Sequence, residues 1–423
     1  MFDHKLPFKV PHKADSMDKI KRNSGTPVLG QLLSFIPRSY FNRLVVQLGT
    51  DKYVKRFKSW DHLVSMLFTV IEDVGGIREL CSGLAAHNQS LKHLGMGYLP
   101  RRSTLSDANL RRGSELFEKT FFGVYKQHYR FFSDSSIPKN EEWLSRLFLV
   151  DSTTITLFKN IMKACGNPLA NGRRKGGVKI HTGMWLKEQV PSLIRITKAA
   201  ENDKNFMHRF KNLPALTILV FDKAYLNFSL YAHWSKTQVS FVSRLHKRCV
   251  VNRGNLNFLT LEDQEYGILE DCQAELGHKQ QKQKVKCRII KFYDRLQKRE
   301  IEFITNDMQL SASNIAEIYK QRWQIELLFK RLKQNLKITS FIGDNENAIR
   351  IQIWCALIAD LLVQIARKGT HRCRLSYSVV CGLFRLHLMN YVKVKDLLLK
   401  STDPNIYMQN VQLEPTLFDI GPP

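Results

Sequence analysis

The spacing of hydrophobic residues divides this chain into a helical part and a strand-forming part. From residue 28 to about residue 129 the apolar positions recur at helical intervals, as in Trp60-Asp-His-Leu-Val-Ser-Met-Leu-Phe. Pro37 and Pro100 mark turns between helices. Residues 1–27 are polar and basic, and their prolines interrupt any periodicity, so we expect a flexible leader. The pattern predicts a helical domain over residues 28–135.

From Leu147 onward, short apolar and alternating runs indicate strands. The predicted strands cover 147–157, 177–186, 191–199, 215–221 and 239–245, and the predicted helices cover 204–212 and 226–237. Three strands, a helix, a strand, a helix and a strand is the order of an RNase H-like core. A later helix, predicted over 312–336, would complete that fold, so we expect an α/β, RNase H-like domain over residues 145–345.

The stretch between the last predicted strand and the late helix is too long for a simple connection in a compact domain. Within it, residues 247–305 contain runs such as Glu300-Ile-Glu-Phe-Ile-Thr, which predict an inserted β subdomain. Residues 279–299 carry nine Lys or Arg and one acid, Asp294. Basic charge interleaved with Phe292 and Tyr293 is typical of DNA contact, although lysines also protect exposed edge strands from aggregation.

The predicted late helix carries a row of polar residues along one face. Tyr319, Arg322, Glu326 and Lys333 stand at spacings of 3, 4 and 7. At about 100° per residue they fall within a stripe roughly 60° wide. The row offers a carboxylate, two cations and a phenol to one partner, while the neighbouring apolar face packs on a core.

The more ordinary interpretation is that Arg322, Glu326 and Lys330 form surface ion pairs, which are common on helices and individually weak. Two upstream acids argue for a site instead, because each follows a strand-like run: Asp151 after Leu-Phe-Leu-Val and Asp222 after Leu-Thr-Ile-Leu-Val-Phe. A single aspartate at a strand end is more often a turn or capping residue. The order Asp, Asp, Glu together with the helical row favours catalysis.

With these residues, the chain resembles a DDE transposase of the insertion-sequence-4 family, whose signature Tyr-x2-Arg-x3-Glu-x6-Lys is complete here. The resemblance runs from about Leu29 to Leu399 and includes Ser103-Thr-Leu-Ser-Asp-Ala-Asn109. The segment Asp222-Lys-Ala-Tyr225 departs from the Asp-Arg-Gly-Tyr of many relatives but keeps a basic and an aromatic residue.

The resemblance implies that three carboxylates hold two divalent cations, Mg²⁺ with Mn²⁺ as a substitute. Asp151 would bind both ions, Asp222 would complete one and Glu326 the other. Hard cations of this kind prefer oxygen ligands. Two ions about 3.5 to 4 Å apart assist the attacking and the leaving oxygen of a phosphodiester.

The resemblance further implies that Tyr319, Arg322 and Lys333 hold phosphates near the transposon end. Arg and Lys supply charge-assisted contacts, and the phenol donates one hydrogen bond. We group Lys330 with these DNA-binding residues. Trp323 is expected either to stack on a base or to be a partly buried aromatic residue.

Further candidates lie on the predicted strands. Lys179 and His181, on the second strand, could face the site or DNA phosphates, although a histidine in a strand is more often structural. Arg244, at the end of the fifth strand, is a candidate phosphate contact. Asp203 opens a predicted helix and is interpreted as an N-cap.

In the N-terminal domain, Ser103 is a plausible N-cap for a helix that contains Asp107, Arg111 and Arg112. A small helical domain that inserts a helix into a DNA groove would use these residues. The alternative is a helical bundle with a solvated basic face. The family's use of this region to bind terminal repeats favours DNA.

Composition narrows the partner. The 423 residues include 65 Lys plus Arg against 38 Asp plus Glu, a net charge of +27. A polymer of phosphates is the expected partner, because each neutralised phosphate releases counterions; a ribosome or an anionic membrane could use the same charge. Eight scattered cysteines form no zinc motif. The longest apolar stretch, Trp354 to Ala366, is too short to span a bilayer, so we expect no membrane association and a cytoplasmic, nucleoid-associated protein.

These features predict a cut-and-paste DNA transposase that binds double-stranded DNA at terminal inverted repeats and at the target. We expect a homodimer assembled on DNA, and the helical region 346–423 could pack on the core or against a second protomer. One alternative is an RNase H-like nuclease or resolvase that cuts without joining. Another is a DNA-binding protein that has lost the reaction, which the complete acidic triad disfavours.

Overall fold

The computed structural model describes residues 25–133, 139–157, 176–201, 203–225, 227–246, 249–278 and 281–400. The predicted leader up to residue 24 and the C-terminal residues 401–423 lie outside these ranges. The chain forms two compact units. One contains the chain up to Gln127 and again from Ile351, and we call it the helical unit. The other, His128–Arg350, is the sheet unit.

The first part of the helical unit is α-helical, as the apolar spacing predicts. Its helices are α1 Val28–Leu33, α2 Arg38–Gln47, α3 Ser59–Glu72, α4 Ile77–Ala86, α5 Asn88–Leu91, α6 Arg102–Arg111 and α7 Glu115–Gln127. Every residue of α3 from Ser59 to Ile71 is buried, so α3 is the central helix of this unit. The carboxylate of Asp61 accepts a hydrogen bond of 3.0 Å from the backbone N–H of Lys58, which caps the start of α3.

The sheet unit is built on a sheet of nine strands among the described residues. The strands are β1 Leu147–Thr156, β2 Gly177–Trp185, β3 Pro191–Lys198, β4 Ile218–Phe221, β5 Ser240–Arg244, β6 Val250–Leu256, β7 Ile268–His278, β8 Gln281–Asp294 and β9 Arg299–Thr305. Their order across the sheet is β3-β2-β1-β4-β5-β9-β8-β7-β6. The first five strands agree closely with the predicted ones.

Strand direction divides the sheet into two parts. The β1–β2 and β2–β3 pairs are antiparallel, whereas β4 runs parallel to β1 and β5 runs parallel to β4. Strands β6 to β9 form an antiparallel meander that joins the edge of β5 through β9. The range 250–305 therefore contains strands, as its sequence pattern predicts, and these strands extend the same sheet.

The sheet unit also contains helices, which precede, separate or follow these strands along the chain. They are α8 Arg130–Ser133, α9 Asp203–Met207, α10 Phe228–Lys236, α11 Leu261–Tyr266, α12 Ala312–Lys320 and α13 Trp323–Asn335. The side chain of Asn227 caps α10 by accepting from the backbone N–H of Leu230 at 3.2 Å. The predicted helix 204–212 is shorter, because α9 ends at Met207 and a 3₁₀ turn follows.

An aromatic cluster forms the core beneath β4 and β5. Tyr231 stacks on Phe241 with ring centroids 4.3 Å apart, and Phe221 and Trp234 pack beside them. The indole N–H of Trp234 donates to the carbonyl of Phe210 at 2.8 Å, which satisfies its one polar atom. Large rigid side chains of this kind hold β4 in place, and Asp222 follows β4 directly.

The chain returns to the helical unit through its C-terminal helices, α14 Glu346–Gly369, α15 Tyr377–His387 and α16 Val394–Lys400. The sequence predicted a separate region over 346–423, but the described C-terminal residues share hydrogen bonds with α1. Leu29 N–H donates to the Leu388 carbonyl at 2.8 Å, and the Gln31 amide donates to the Val392 carbonyl at 2.7 Å. Apolar periodicity detects helices but cannot show which helices share a core.

Helix α14 has the length and composition of a membrane span, and it is the one such helix among the described residues. It is longer than the predicted apolar stretch, yet 94% of its apolar window is buried inside the protein. A helix that is apolar on all sides is also what the core of a large domain requires.

Candidate active site

Two aspartates are brought together by the parallel pairing of β1 and β4. Val150 pairs with Phe221 in this register, so Asp151 and Asp222 are the next residues on two adjacent strands. Adjacent strands lie about 4.8 Å apart, which places the two carboxylates at neighbouring positions. The apolar runs that precede both residues form the buried strands that carry them.

The third acid, Glu326, is linked to this pair by Arg322. The Arg322 guanidinium donates to Asp151 Oδ2 at 2.6 Å and to Glu326 Oε1 at 2.5 Å. Both carboxylates and the guanidinium are largely shielded from solvent, with side-chain exposures of 15% for Asp151, 31% for Glu326 and 17% for Arg322. The predicted surface pairing of Arg322 with Glu326 therefore occurs, but inside a site that Asp151 completes.

Tyr319 contacts the remaining acid. Its hydroxyl donates to Asp222 Oδ1 at 3.3 Å, and its ring lies against Phe303 with centroids 5.0 Å apart. Burial, with the nearby charge of Asp222, raises the pKa of Tyr319 to about 12, so the phenol keeps its proton and acts as a donor. The Arg322 guanidinium lies 5.7 Å from the centre of the Tyr319 ring.

The predicted single helix 312–336 is broken in the structure, so the expectation of one continuous stripe was wrong. Helix α12 ends at Lys320 and α13 begins at Trp323. At the junction, Arg322 N–H donates to the Tyr319 carbonyl and Ile325 N–H donates to the Arg322 carbonyl, both in the tighter i to i−3 pattern. Tyr319 and Arg322 nevertheless contact the acids, because the turn leaves both side chains facing the sheet.

Asp151 has the electrostatics of a shared acidic site. Burial raises its pKa to about 6, and the charges of Glu326 and Asp222 add to this effect. Arg322 and the backbone N–H of Ser152, which donates to Asp151 Oδ1 at 2.8 Å, act in the opposite direction. Burial also lowers the pKa of Arg322, but Asp151, Tyr319 and Glu326 outweigh it and leave that pKa raised.

The predicted metal ligands have suitable chemistry but not coordination geometry. Three carboxylates form an all-oxygen donor set of the type hard divalent cations prefer, and the charges of Glu326 and Asp222 add to the burial that raises the pKa of Asp151. Within the described residues, however, no three His, Cys, Asp or Glu side chains converge closely enough to hold one ion. The Arg322 guanidinium bridges Asp151 and Glu326 and neutralises the charge that a cation would otherwise neutralise.

The other predicted DNA-binding residues lie on α13 and at the end of β5. Trp323 is 55% exposed, which suits stacking better than the partly buried alternative, and Lys330 is exposed. Lys333 Nζ lies 3.4 Å from the Thr154 carbonyl, and burial lowers its pKa. Arg244 is close enough to Tyr319 to lower the pKa of its phenol.

Lys179 and His181 do not face solvent as free phosphate contacts. Lys179 Nζ donates to the Glu201 carbonyl at 3.0 Å and lies 3.3 Å from Asp203. His181 is 1% exposed and its Nε2 lies 3.0 Å from the Thr197 hydroxyl. Burial lowers the pKa of His181 to about 4, so it is neutral at physiological pH and cannot attract a phosphate by charge.

Asp203 organises these two residues, a role that its interpretation as an N-cap missed. Its carboxylate accepts from the Ser152 hydroxyl at 3.1 Å and lies 3.4 Å from His181 Nδ1. Ser152 follows Asp151 and pairs with His181 across β1 and β2. A buried hydroxyl of Tyr225 lies beside the same group, and burial raises its pKa. The sequence had singled out Lys179, His181 and Asp203 one by one, and the tyrosine retained in Asp222-Lys-Ala-Tyr225, but gave no sign that they are neighbours.

The predicted DNA-reading helix α6 is arranged differently from expectation. It begins at Arg102, so Ser103 lies inside the helix and is not its N-cap. Arg111 forms an exposed ion pair with Asp107 at 2.7 Å. Arg112 is 7% exposed and donates to the carbonyl of Phe57, so it stabilises the fold and is not available to a DNA groove.

Part of the basic charge of the insertion is paired with acids across the sheet. Arg288 is buried and donates to Asp271 at 2.6 Å, Lys291 pairs with Glu300 at 2.8 Å, and Lys284 pairs with Glu275 at 3.3 Å. These acids belong to β7 and β9, outside the segment in which one acid was counted. The basic count along the sequence therefore overstates the charge that β8 offers to DNA.

Comparison with known proteins assigns both units to families. Residues 142–362 match the family model described as Transposase DDE domain, and residues 24–97 match a domain of unknown function, DUF4372. A Sinorhizobium fredii protein named as transposase y4zB is 33% identical over 273 residues, which cover 64% of this chain and 72% of the relative.

Two further relatives carry insertion-sequence names. The transposase of element IS5377 from Geobacillus stearothermophilus is 30% identical over 52% of this chain and 56% of its own length. That of element IS4SA from Synechocystis is 26% identical over 62% of this chain and 71% of its own length. Among solved structures, a piggyBac transposase synaptic complex with hairpin DNA covers 91% of this chain and 84% of its own, at 7% identity and a TM-score of 0.42. That likeness is too distant to inform the fold.

Proposed function

The chain belongs to the DDE transposase family, and from that premise we propose that Asp151, Asp222 and Glu326 are its catalytic carboxylates. Members of the family are enzymes of insertion sequences that cleave and join DNA with divalent metal ions. The single observation that carries the assignment is the link from Arg322 to both Asp151 and Glu326, beside the strand pair that presents Asp222. We assign the chain to the insertion-sequence-4 group on its Tyr319, Arg322, Glu326 and Lys333 signature.

We propose that the catalytic core is RNase H-like. The order β3-β2-β1-β4-β5, with three antiparallel strands followed by two parallel ones, supports this assignment. In this proposal, β6 to β9 are an insertion that lengthens the sheet beyond β5, and α13 delivers the final acid.

The proposed cofactor is a pair of Mg²⁺ ions, for which Mn²⁺ would substitute, held by the three acids. When bound, such ions activate an attacking oxygen and stabilise the leaving oxygen of a phosphodiester. Asp151 is central to the arrangement because it neighbours both Asp222 and Glu326. Its pKa near 6 means that a nearby cation would favour the charged form that binds metal.

Arg322 has two roles in this proposal. Without DNA it neutralises Asp151 and Glu326, and its buried Nε has no hydrogen-bond partner among the described residues. Because not all of the guanidinium N–H groups are hydrogen-bonded, we expect Arg322 to bind a DNA phosphate, which can accept two hydrogen bonds from it. Tyr319 and Lys333 would position the same strand, with Trp323, Lys330 and Arg244 at its edges.

The proposed reaction is cut-and-paste transposition. The enzyme binds inverted terminal repeats as a homodimer assembled on DNA, nicks each end to release a 3′-hydroxyl, and joins that hydroxyl to target DNA. A hairpin at the transposon end is part of the proposal: the 3′-hydroxyl attacks a phosphodiester of the opposite strand and releases the flank, and hydrolysis of the hairpin regenerates the 3′-hydroxyl for joining. The proposed location is the cytoplasm, at the nucleoid.

The decisive experiment compares Asp151→Asn with the wild-type chain on an end-containing duplex in Mg²⁺. We expect cleavage to be lost while end binding, measured by fluorescence anisotropy, stays nearly unchanged. The matched control is Asp294→Asn, the same chemical change at a turn aspartate that accepts backbone N–H groups in this unit. Equal loss of binding and cleavage in Asp151→Asn would make that residue structural.

Denaturing gels of the same reactions test the hairpin. A flank released by the wild-type enzyme with no species of hairpin mobility would exclude that intermediate, while strand-transfer products in a plasmid assay would still support joining. Cleavage with no joining at all would instead identify a nuclease.

A further inference from the structure

The helical unit presents an exposed basic segment that the described catalytic site does not use. Residues 51–58, Asp-Lys-Tyr-Val-Lys-Arg-Phe-Lys, connect α2 to α3, and we call them the basic loop. Lys52, Lys55, Arg56 and Lys58 are exposed. In the described part of the chain, none of the four forms an ion pair with an acid, so their charge is available to a partner.

Hydrogen bonds to Ser59 and Arg112 hold the basic loop in a defined conformation. Asp51 accepts from both the backbone N–H and the hydroxyl of Ser59, at 2.8 and 2.7 Å. Phe57 is buried, and Arg112 donates to the carbonyls of Phe57 and Thr50. These contacts explain why Arg112 is buried. They also mean that little conformational entropy would be lost when the loop binds a partner.

A cavity of about 620 Å³ opens beside the loop and is lined with cations. Its walls include Lys55, Arg56 and Lys58 from the loop, and Arg38, whose guanidinium lies 3.5 Å from the centre of the Trp60 ring. The one acid in the lining, Asp61, is 2% exposed and is occupied by the backbone N–H groups of Lys58 and Gly97. The surface is therefore positive, with an aromatic floor.

Tyr53 adds an aromatic side chain to the exposed side of the loop. It is 91% exposed, and its φ of 62° lies in the left-handed region that residues other than glycine rarely adopt. Such a conformation costs on the order of 1 kcal/mol, and no packing of the ring offsets it. The ring is free to contact a sugar or a base, and Lys52 Nζ lies 5.2 Å from its centre.

We propose that the basic loop and the adjoining cavity bind the phosphate backbone of double-stranded DNA. Unpaired cations on a rigid loop, with aromatic residues between them, have the chemistry of a backbone clamp. This assigns a role to residues that match the domain of unknown function, and it moves the expected contact of the N-terminal domain from α6 to the loop. The contacts are independent of base sequence, because phosphates carry no sequence information.

The test uses the full-length chain and a fluorescein-labelled duplex of arbitrary sequence, with anisotropy measured over a range of KCl concentrations. For the double variant Lys55→Ala/Arg56→Ala, we expect the slope of log K against log salt to fall by about two and affinity near 0.1 M salt to fall about 10- to 100-fold. The matched control is Arg78→Ala/Lys395→Ala, which removes two other exposed cations of the same unit. Thermal melts should show that both double variants are folded.

A second measurement locates the contact directly. A duplex carrying 4-thiothymidine is photo-crosslinked to the wild-type chain, and the adducts are mapped by mass spectrometry, with Tyr53 and its neighbours as the expected sites. Adducts within residues 51–58 together with the reduced salt slope would support the proposal. A slope equal to that of the control, or crosslinks confined to other peptides, would overturn it. Neither result bears on the catalytic carboxylates.

Discussion

The basic loop of the helical unit and strand β8 of the sheet unit are both rich in Lys and Arg, but they differ in how much of that charge is paired with acids. In the loop, the cations are exposed and the one acid, Asp51, is used by Ser59. Along β8, Lys284, Arg288 and Lys291 each pair with an acid from a neighbouring strand. Charge density along a sequence therefore does not measure the charge that a surface presents.

The difference has a geometric cause. Residues opposite one another on paired strands lie within about 5.5 Å, and diagonal neighbours lie about 7–8 Å apart. The register of β8 places Lys286 opposite Glu275 and Lys291 opposite Glu302, and the ion pairs form on the diagonals, from Lys284 to Glu275 and from Lys291 to Glu300. A loop between two helices has no such neighbours on either side. Strands thus acquire partners for their charges as a consequence of pairing, and loops keep theirs for ligands.

The largest expected effect distinguishes a structural cation from a binding one. Arg288→Met leaves the buried carboxylate of Asp271 without its charged partner, and we expect a loss of about 3–5 kcal/mol in the free energy of unfolding. Urea denaturation measures it, with Lys286→Ala, an exposed residue of the same strand, as the control. A variant as stable as the control would mean that the pair of Arg288 with Asp271 does not stabilise the fold.

The same distinction applies to His181, which the sequence placed among the DNA ligands. Its pKa in the folded protein is about 4, below the ordinary 6.5, because burial disfavours the charged form. The unfolded chain therefore binds the proton first, so the stability from neutral His181 is complete above pH 6.5 and is lost as the pH falls toward 4. At pH 5 the loss should approach about 2 kcal/mol.

His181→Gln cannot titrate, so its stability relative to wild type should rise between pH 7 and pH 5 in thermal or urea unfolding. The exposed His371→Gln is the control and should follow the wild-type curve. A parallel fall of wild type and His181→Gln would contradict the neutral assignment.

A smaller effect is expected where the loop is anchored. Asp51→Asn weakens the two hydrogen bonds to Ser59 at the start of α3, which should cost about 1–2 kcal/mol. Because the cations themselves remain, DNA affinity should fall less than in Lys55→Ala/Arg56→Ala. An affinity loss as large as that of the double variant would show that loop order matters more than loop charge.

The smallest effect is predicted for Lys291→Ala. This side chain pairs with Glu300 on the surface, and exposed pairs contribute little to stability. We expect neither the melting temperature nor the salt slope of DNA binding to change measurably. A reduced slope would return β8 to the list of DNA contacts and break the comparison with the basic loop.

Several parts of the site follow from local pattern. The apolar runs before Asp151 and Asp222 predict two strands, and the structure contains both with ends within a few residues of prediction. The helical spacing after residue 312 predicts the element that carries Glu326. Hydrophobic periodicity reports which residues face a core, and that information is local to each segment.

Other parts depend on contacts between distant segments. At the break between α12 and α13, the backbone hydrogen bonds change from the i to i−4 to the i to i−3 pattern. The spacing of apolar residues does not show a change of this size. The role of Asp203 depends on Ser152 and Lys179, which reach it from two strands. An aspartate at the start of a helix has the same neighbours in the sequence whether its side chain caps the helix or binds a residue of another element. The sequence therefore could not distinguish the two roles of Asp203.

The sequence by itself determined the order of helices and strands, the excess of positive charge and the family signature, because each is carried by residue types at short range. Only the tertiary structure decided that Arg322 joins Asp151 to Glu326, that Arg112 and Arg288 are buried, and that the basic loop keeps its charge. The reason is that the partner of a charged side chain is chosen by strand register and helix packing, which bring together residues far apart in the chain.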